Sequence, residues 1–112
     1  MISVLLPVRA ISPNKTSGEH WSKRSRRAKA HRDATAWALY KQKKPPLPCW
    51  VTLTRIAPKR LDEGDNLAMS MKHVRDGVAE WLGIDDGGVL AQWLYAQRRG
   101  EAYQYAVLIE IE

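Results

Sequence analysis

The 112-residue sequence contains no phenylalanine and a single cysteine, and it has no long apolar run. One cysteine, Cys49, excludes an intrachain disulfide and a thiolate zinc cluster within one subunit, and it fits a reducing cytoplasm. The first nine residues form a short apolar stretch interrupted by Pro7, with no basic region before it. That pattern suits a β-strand better than a secretion signal or a membrane span, so a membrane partner is not expected. No repeat, linker or low-complexity segment divides the chain. A chain this short has room for one small domain, residues 1–112, and burial against a second copy would help to stabilise it.

Acidic residues are also in deficit. Lys and Arg number 18 against 12 Asp and Glu, a formal charge of +6. A basic balance favours a polyanionic partner, and its distribution is more informative than its size. Lys23, Arg24, Arg26, Arg27, Lys29 and Arg32 form one dense block, and Lys41, Lys43 and Lys44 a second. The acids gather at residues 62–65 and at Asp85-Asp86. Five tryptophans (Trp21, Trp37, Trp50, Trp81, Trp93) fall in apolar-periodic stretches and read mostly as core.

Turn and periodicity signals give the order β-α-β-α-β-β: an α+β domain with a mixed sheet packed by two helices. Residues 2–9 read as a strand and 11–20 as a loop. A helix capped by Ser22 is predicted to about residue 42, stopped by Pro45, Pro46 and Pro48. A strand follows at 50–56 and a continuous helix at 66–82, ended by Gly83. Two strands, 89–97 and 103–111, are expected to close the fold as a hairpin.

On the 66–82 helix, Leu67, Met71, Val74, Val78 and Trp81 share a core-facing stripe. Asp65, Lys72 and Asp76 share the opposite one. Carboxylates are hard oxygen ligands for Mg²⁺, and a nearby ammonium can stabilise charge on a reacting phosphate. Each signal also has a plain structural reading. Asp65 or Asn66 can serve as a helix N-cap, Asp85-Asp86-Gly87 as a turn, and Lys72 with Asp76 as a surface ion pair. The basic block can be a solvated helix face. His20, His31 and His73 lack metal-ligand spacing and read as surface or DNA-facing residues.

The order of these features, from Pro58 to Asp86, resembles the RusA-like Holliday-junction resolvases, many of them from phages and prophages. Asp62-Glu63-Gly64-Asp65-Asn66 stands where that family has Asp-x-Asp-Asn, so either Asp62 or Glu63 takes the place of the first acid. Lys72 lies two turns after Asp65, farther than in some members. Pro13-Asn14 and Trp21 loosely match an N-terminal element of the family. The resemblance implies a homodimeric endodeoxyribonuclease that cuts branched, four-way DNA during recombination or repair in a bacterial cytoplasm. It implies Mg²⁺, with Mn²⁺ as a substitute, and no small-molecule cofactor. Asp62, Asp65, Lys72 and Asp86 are then the catalytic candidates, and Asp62, Glu63, Asp65, Asp85 and Asp86 the metal ligands. Asn14, Lys15, Lys23, Arg24, Arg26, Arg27, Lys29 and Arg32 would contact DNA.

Two other readings stand beside it. One is a DNA-binding protein of the same fold without catalysis. The other is a small RNA-binding protein using Trp50, Trp93, Tyr95, Tyr103 and Tyr105. A straight helix over 65–82 would also hold Asp65 about 25 Å from its far end. That length predicts metal sites shared between two antiparallel subunits.

Overall fold

Strand β2 (Cys49–Ala57) is the axis of the fold, because all of its residues except Trp50 and Thr52 are buried and both its edges are paired. The computed structural model describes residues 1–62 and 64–112, with only the backbone at Asp65. The remaining elements are β1 (Ile2–Leu6), α1 (Pro13–Thr16), α2 (Trp21–Leu39), α3 (Asp65–Ser70), α4 (Lys72–Leu82), β3 (Ala91–Arg99) and β4 (Ala106–Ile111). The α+β class and the mixed four-stranded sheet agree with the sequence reading. Sheet order is β1-β4-β2-β3, with β2 and β3 parallel and the other pairs antiparallel.

The expected closing hairpin does not form. β3 and β4 lie on opposite sides of β2, so they are not neighbours. A strand buried this deeply must satisfy its backbone groups on both edges, and β3 takes one edge while β4 takes the other. Residues 100–105 carry the chain over the end of β2, where the Gly100 N–H donates to the Ala57 carbonyl at 2.9 Å.

The helices cover one face of the sheet. Ile2 and Leu6, Val51 and Leu53, and Val107, Ile109 and Ile111 point toward them. From the other side come Leu39, Leu67, Met71, Val74, Val78 and Leu82, all buried. The apolar stripe read from the sequence is therefore the core face, with Trp81 half-buried at its edge. Helix α2 and α4 touch at Gly77, where a Cβ would lie 2.8 Å from the Thr35 Cβ. Gly83, at φ 74°, ends α4 with its N–H on the Glu80 carbonyl and that of Ile84 on Ala79.

Three expectations about local structure are corrected. The 66–82 helix is broken at Met71 (φ −112°, ψ 14°). There the Met71 N–H bonds back three residues to Ala68, and the Ser70 hydroxyl takes the Leu67 carbonyl at 2.6 Å. Helix α2 is capped by His20, whose Nδ1 accepts from the Ser22 N–H, and it ends at Leu39. Most of the tryptophans are not core: Trp21, Trp37 and Trp50 are exposed, while Trp81 and Trp93 are half-buried and pack against the core edge. The buried stripe of α2 is instead Ala28, His31, Thr35 and Leu39.

Candidate active site and nucleic-acid interface

The acids are positioned by the edge strand β3. Its residues Trp93, Tyr95 and Gln97 alternate onto the helix-covered face, beside Val51 and Leu53 of β2. The Gln97 side-chain amide pairs with the backbone of Leu61: its Oε1 accepts from the Leu61 N–H at 2.9 Å and its Nε2 donates to the Leu61 carbonyl at 2.8 Å. This fixes the main chain one residue before Asp62. Asp62 is exposed, and its Oδ1 accepts from the Gly64 N–H at 3.3 Å, a local turn.

The second acidic segment is tied to the same strand face through Arg75. The Arg75 guanidinium donates to the Tyr95 hydroxyl at 2.7 Å and to the Asp86 backbone carbonyl, and it lies 4.7 Å from the Trp93 ring centroid. Its Nε is 3.4 Å from Asp86 Oδ2, an ion pair without hydrogen-bond alignment. Asp85 faces away into a turn, its Oδ1 accepting from the Gly87 N–H at 3.1 Å. Tyr95 and Gln97 are two residues apart, about 7 Å along a strand. The acidic loop and the Asp85-Asp86 turn therefore border one face of one strand in a single chain. The break at Met71 also removes the straight helix on which the expectation of subunit-shared sites rested.

Asp65 is the first residue of α3, after Gly64 in the cap position, so neither Asp65 nor Asn66 is the N-cap. Glu63 lies outside the described residues. Lys72 opens α4, is exposed, and does not pair with Asp76, which sits 3.7 Å from His73 Nδ1 instead. Among the described residues no three His, Cys, Asp or Glu side chains stand close enough to hold a metal ion. The donor chemistry of the acidic segments, carboxylate oxygens throughout, fits Mg²⁺.

Cations surround two small clefts that share Ile11. The first, about 130 Å³, lies between the segment before α1 and the loop after β2, and Arg9, Lys15, Lys59, Arg60 and Leu61 line it. Arg55 at its floor is structural, donating to the Ala10 carbonyl at 3.0 Å and to the Lys59 carbonyl at 2.7 Å. The second, about 200 Å³, lies between α2 and the α3–α4 junction, with Arg24, Arg27, His31, Ser70, Lys72 and His73 among its walls.

The basic block of α2 thus divides. Arg24 and Arg27 face the second cleft, and Arg27 is held by Glu19 at 2.7 Å. That pairing holds the Glu19 carboxyl below the usual range. Lys29 and Arg32 line a different groove beside Gly77 and Trp81, with Lys29 paired to Asp33 at 2.7 Å. Lys23 is 4.0 Å from Glu19, and Arg26 is exposed. Asn14 and Lys15 lie on α1 and are exposed, with the Asn14 N–H on the Ser12 hydroxyl.

Sequence reasoning gave Arg75, Tyr95 and Gln97 no part in holding the acidic segments, because that part depends on contacts between distant segments. It also placed His31 on the surface, whereas the residue is 5% exposed. Its spacing from Ala28, Thr35 and Leu39 was the available signal. No helix is long and apolar enough to cross a membrane among the described residues. No protein-family model matches this sequence, and comparison with curated proteins finds no match.

Proposed function

We propose that the chain is a Mg²⁺-dependent endonuclease that cuts branched DNA as a homodimer, in the manner of the RusA-like resolvases it resembles. One observation carries the reading: the acidic loop at Asp62 and the turn at Asp86 border the same face of β3, with one cation-lined cleft beginning at Leu61. Asp62, Asp65 and Asp86, with Glu63, would hold the metal. When bound, Mg²⁺ supplies an activated water and neutralises charge on the phosphate in flight. Lys72 has no partner among the described residues and lines the second cleft, so it is available to a backbone phosphate there. The clefts would hold backbone phosphates, which position a junction without reading its bases. The exposed pair Trp37 and Tyr40, 79% and 69% accessible, leaves apolar area for a second subunit to cover.

A DNA-binding protein without catalysis is the second reading. It is favoured by the ion pair between Arg75 and Asp86, which offsets the charge a metal would use.

Incubation with a synthetic four-way junction and a linear duplex, with and without Mg²⁺, separates the two. Cleavage confined to the junction and to Mg²⁺ is the expected result. Asp65→Asn and Asp86→Asn should each abolish cleavage and keep DNA binding. Binding without cleavage at any metal concentration would select the second reading.

A further inference from the structure

We propose that the cleft between the first half of α2 and the start of α4 is a built phosphate-binding site, formed by Arg24, Arg27, His31, Lys72 and His73. The cleft encloses about 200 Å³, several times the roughly 30 Å³ share of one water, so it admits a tetrahedral oxyanion with part of its hydration. Two of its walls are imidazoles whose Nδ1 atoms make no hydrogen bond among the described residues, although His73 Nδ1 stands 3.7 Å from Asp76 and His31 bonds the Arg9 backbone. The His31 and His73 ring centroids are 6.5 Å apart, the planes at 70°, and neither Nδ1 has a hydrogen bond. His31 is 5% exposed, and its Nδ1 is a buried polar atom without a hydrogen bond among the described residues, on a residue that lines the cleft.

The charges around the two rings decide the sign of that ligand. Helix α2 contributes Arg24, Arg27 and Arg32, and α4 contributes Lys72. The facing acids are Glu19, already on Arg27, and Asp76, beside His73. Helix α4 starts here without a side-chain cap, adding partial positive charge. Burial above all, then His73 and Arg27, holds the His31 ring neutral with its pKa lowered to about 4, opposed weakly by a hydrogen bond with the Arg9 backbone. Burial, Lys72 and Arg32 lower that of His73, and Asp76 works against them. A cation would meet net repulsion, since the cations outnumber the two acids. An anion would neutralise Arg27 and Lys72 and let the imidazoles protonate, turning each into a donor toward it. Proton uptake by His31 on binding is then confined to the acid range around its lowered pKa, and near neutrality the arginines and Lys72 carry the binding.

The owner of the phosphate, an internal diester or a 5′ end, rests on the nucleic-acid reading. The site itself does not. The first experiment uses inorganic phosphate alone, with the full chain, followed through the Cε1–H resonances of the two histidines between about pH 3.5 and 8, a range that brackets the lowered His31 pKa. Expected are saturable shifts of both rings and a rise in the His31 pKa of about one unit or more. Arg24→Gln should weaken phosphate about tenfold, the loss of one charge-assisted hydrogen bond. Lys43→Gln, exposed and outside the clefts, should leave it unchanged. Absence of saturable shifts, or an equal loss in both variants, would overturn the site in favour of diffuse charge. A 5′-phosphorylated trinucleotide and its 5′-hydroxyl counterpart then compete with phosphate. Preference for the first assigns a terminal phosphate, and equal competition assigns the backbone. Failure of both removes the nucleic-acid owner and leaves the inorganic phosphate result standing.

Discussion

The two sides of the α3–α4 pair hold charge in opposite ways. On the strand side, the Asp86 turn is compensated by one guanidinium that reaches Tyr95, Trp93 and the turn at once. On the cleft side, Arg24 and Lys72 form no close ion pair among the described residues, and the buried histidine between α2 and α4 stays neutral. The strand side is self-contained, with an arginine already matched to an acid. The cleft side is incomplete until an anion arrives. Stability is concentrated in the first arrangement and binding capacity in the second, because compensated charges are tightly held and uncompensated ones are available.

Removing Arg75 tests the strand side most severely. Arg75→Ala leaves the Asp86 carbonyl and the Tyr95 hydroxyl without their donor and exposes Trp93 to lost packing. Equilibrium unfolding in urea should show a loss of about 3 kcal/mol. Mg²⁺-dependent junction cleavage should fall by about 100-fold, the upper range for a group that orients a ligand. Cleavage that rises instead would mean that Arg75 restrains Asp86 rather than positioning it.

Acid tests the cleft side. His31 has a folded pKa of about 4 against an ordinary 6.5, so between these values the unfolded chain binds more protons. Stability is then fully present above pH 6.5 and falls as pH drops toward 4, by about 3 kcal/mol from this residue. The difference between wild type and His31→Gln in that window isolates it. Identical slopes would show that His31 does not titrate with folding. Gln97→Leu returns to the strand side with a smaller effect: it removes both bonds to Leu61, costing about 1–2 kcal/mol. Cleavage should drop about tenfold as the Asp62 loop loses its anchor, with junction affinity unchanged in a gel-shift titration.

These residues also mark where sequence reasoning stops. The stripe of Leu67, Met71, Val74 and Val78 was legible because a helix repeats its core contacts every three or four residues. Gly83 was legible because a positive φ favours glycine. The break at Met71 was not, since neither Gly nor Pro stands there and a hydroxyl bond from Ser70 supports the tightened turn. Strand order was hidden for a different reason. Alternation in β3 and β4 says which face each presents and nothing about which edge of β2 each joins. The acids themselves could be picked out by type and order. What holds them could not, because Arg75 and Asp86 are 11 residues apart and Leu61 and Gln97 are 36 apart, with contacts set only by the finished sheet.

The finest test of the contrast is Tyr95→Phe. It deletes one hydroxyl and keeps the ring that packs against the core. Arg75 loses its bond from Nη1 but keeps Asp86 and the Trp93 face. If the guanidinium is positioned chiefly by the aromatic ring and the turn, the cost should be about 1 kcal/mol in urea unfolding. Cleavage should fall by no more than about threefold, since each tenfold corresponds to about 1.4 kcal/mol and the acid stays paired. A loss as large as that of Arg75→Ala would identify the tyrosine hydroxyl as the group that aims Arg75. A double variant would then show no further loss, because both changes would break the same link. Additive losses, in contrast, would mean that Tyr95 and Arg75 support the Asp86 turn by separate routes.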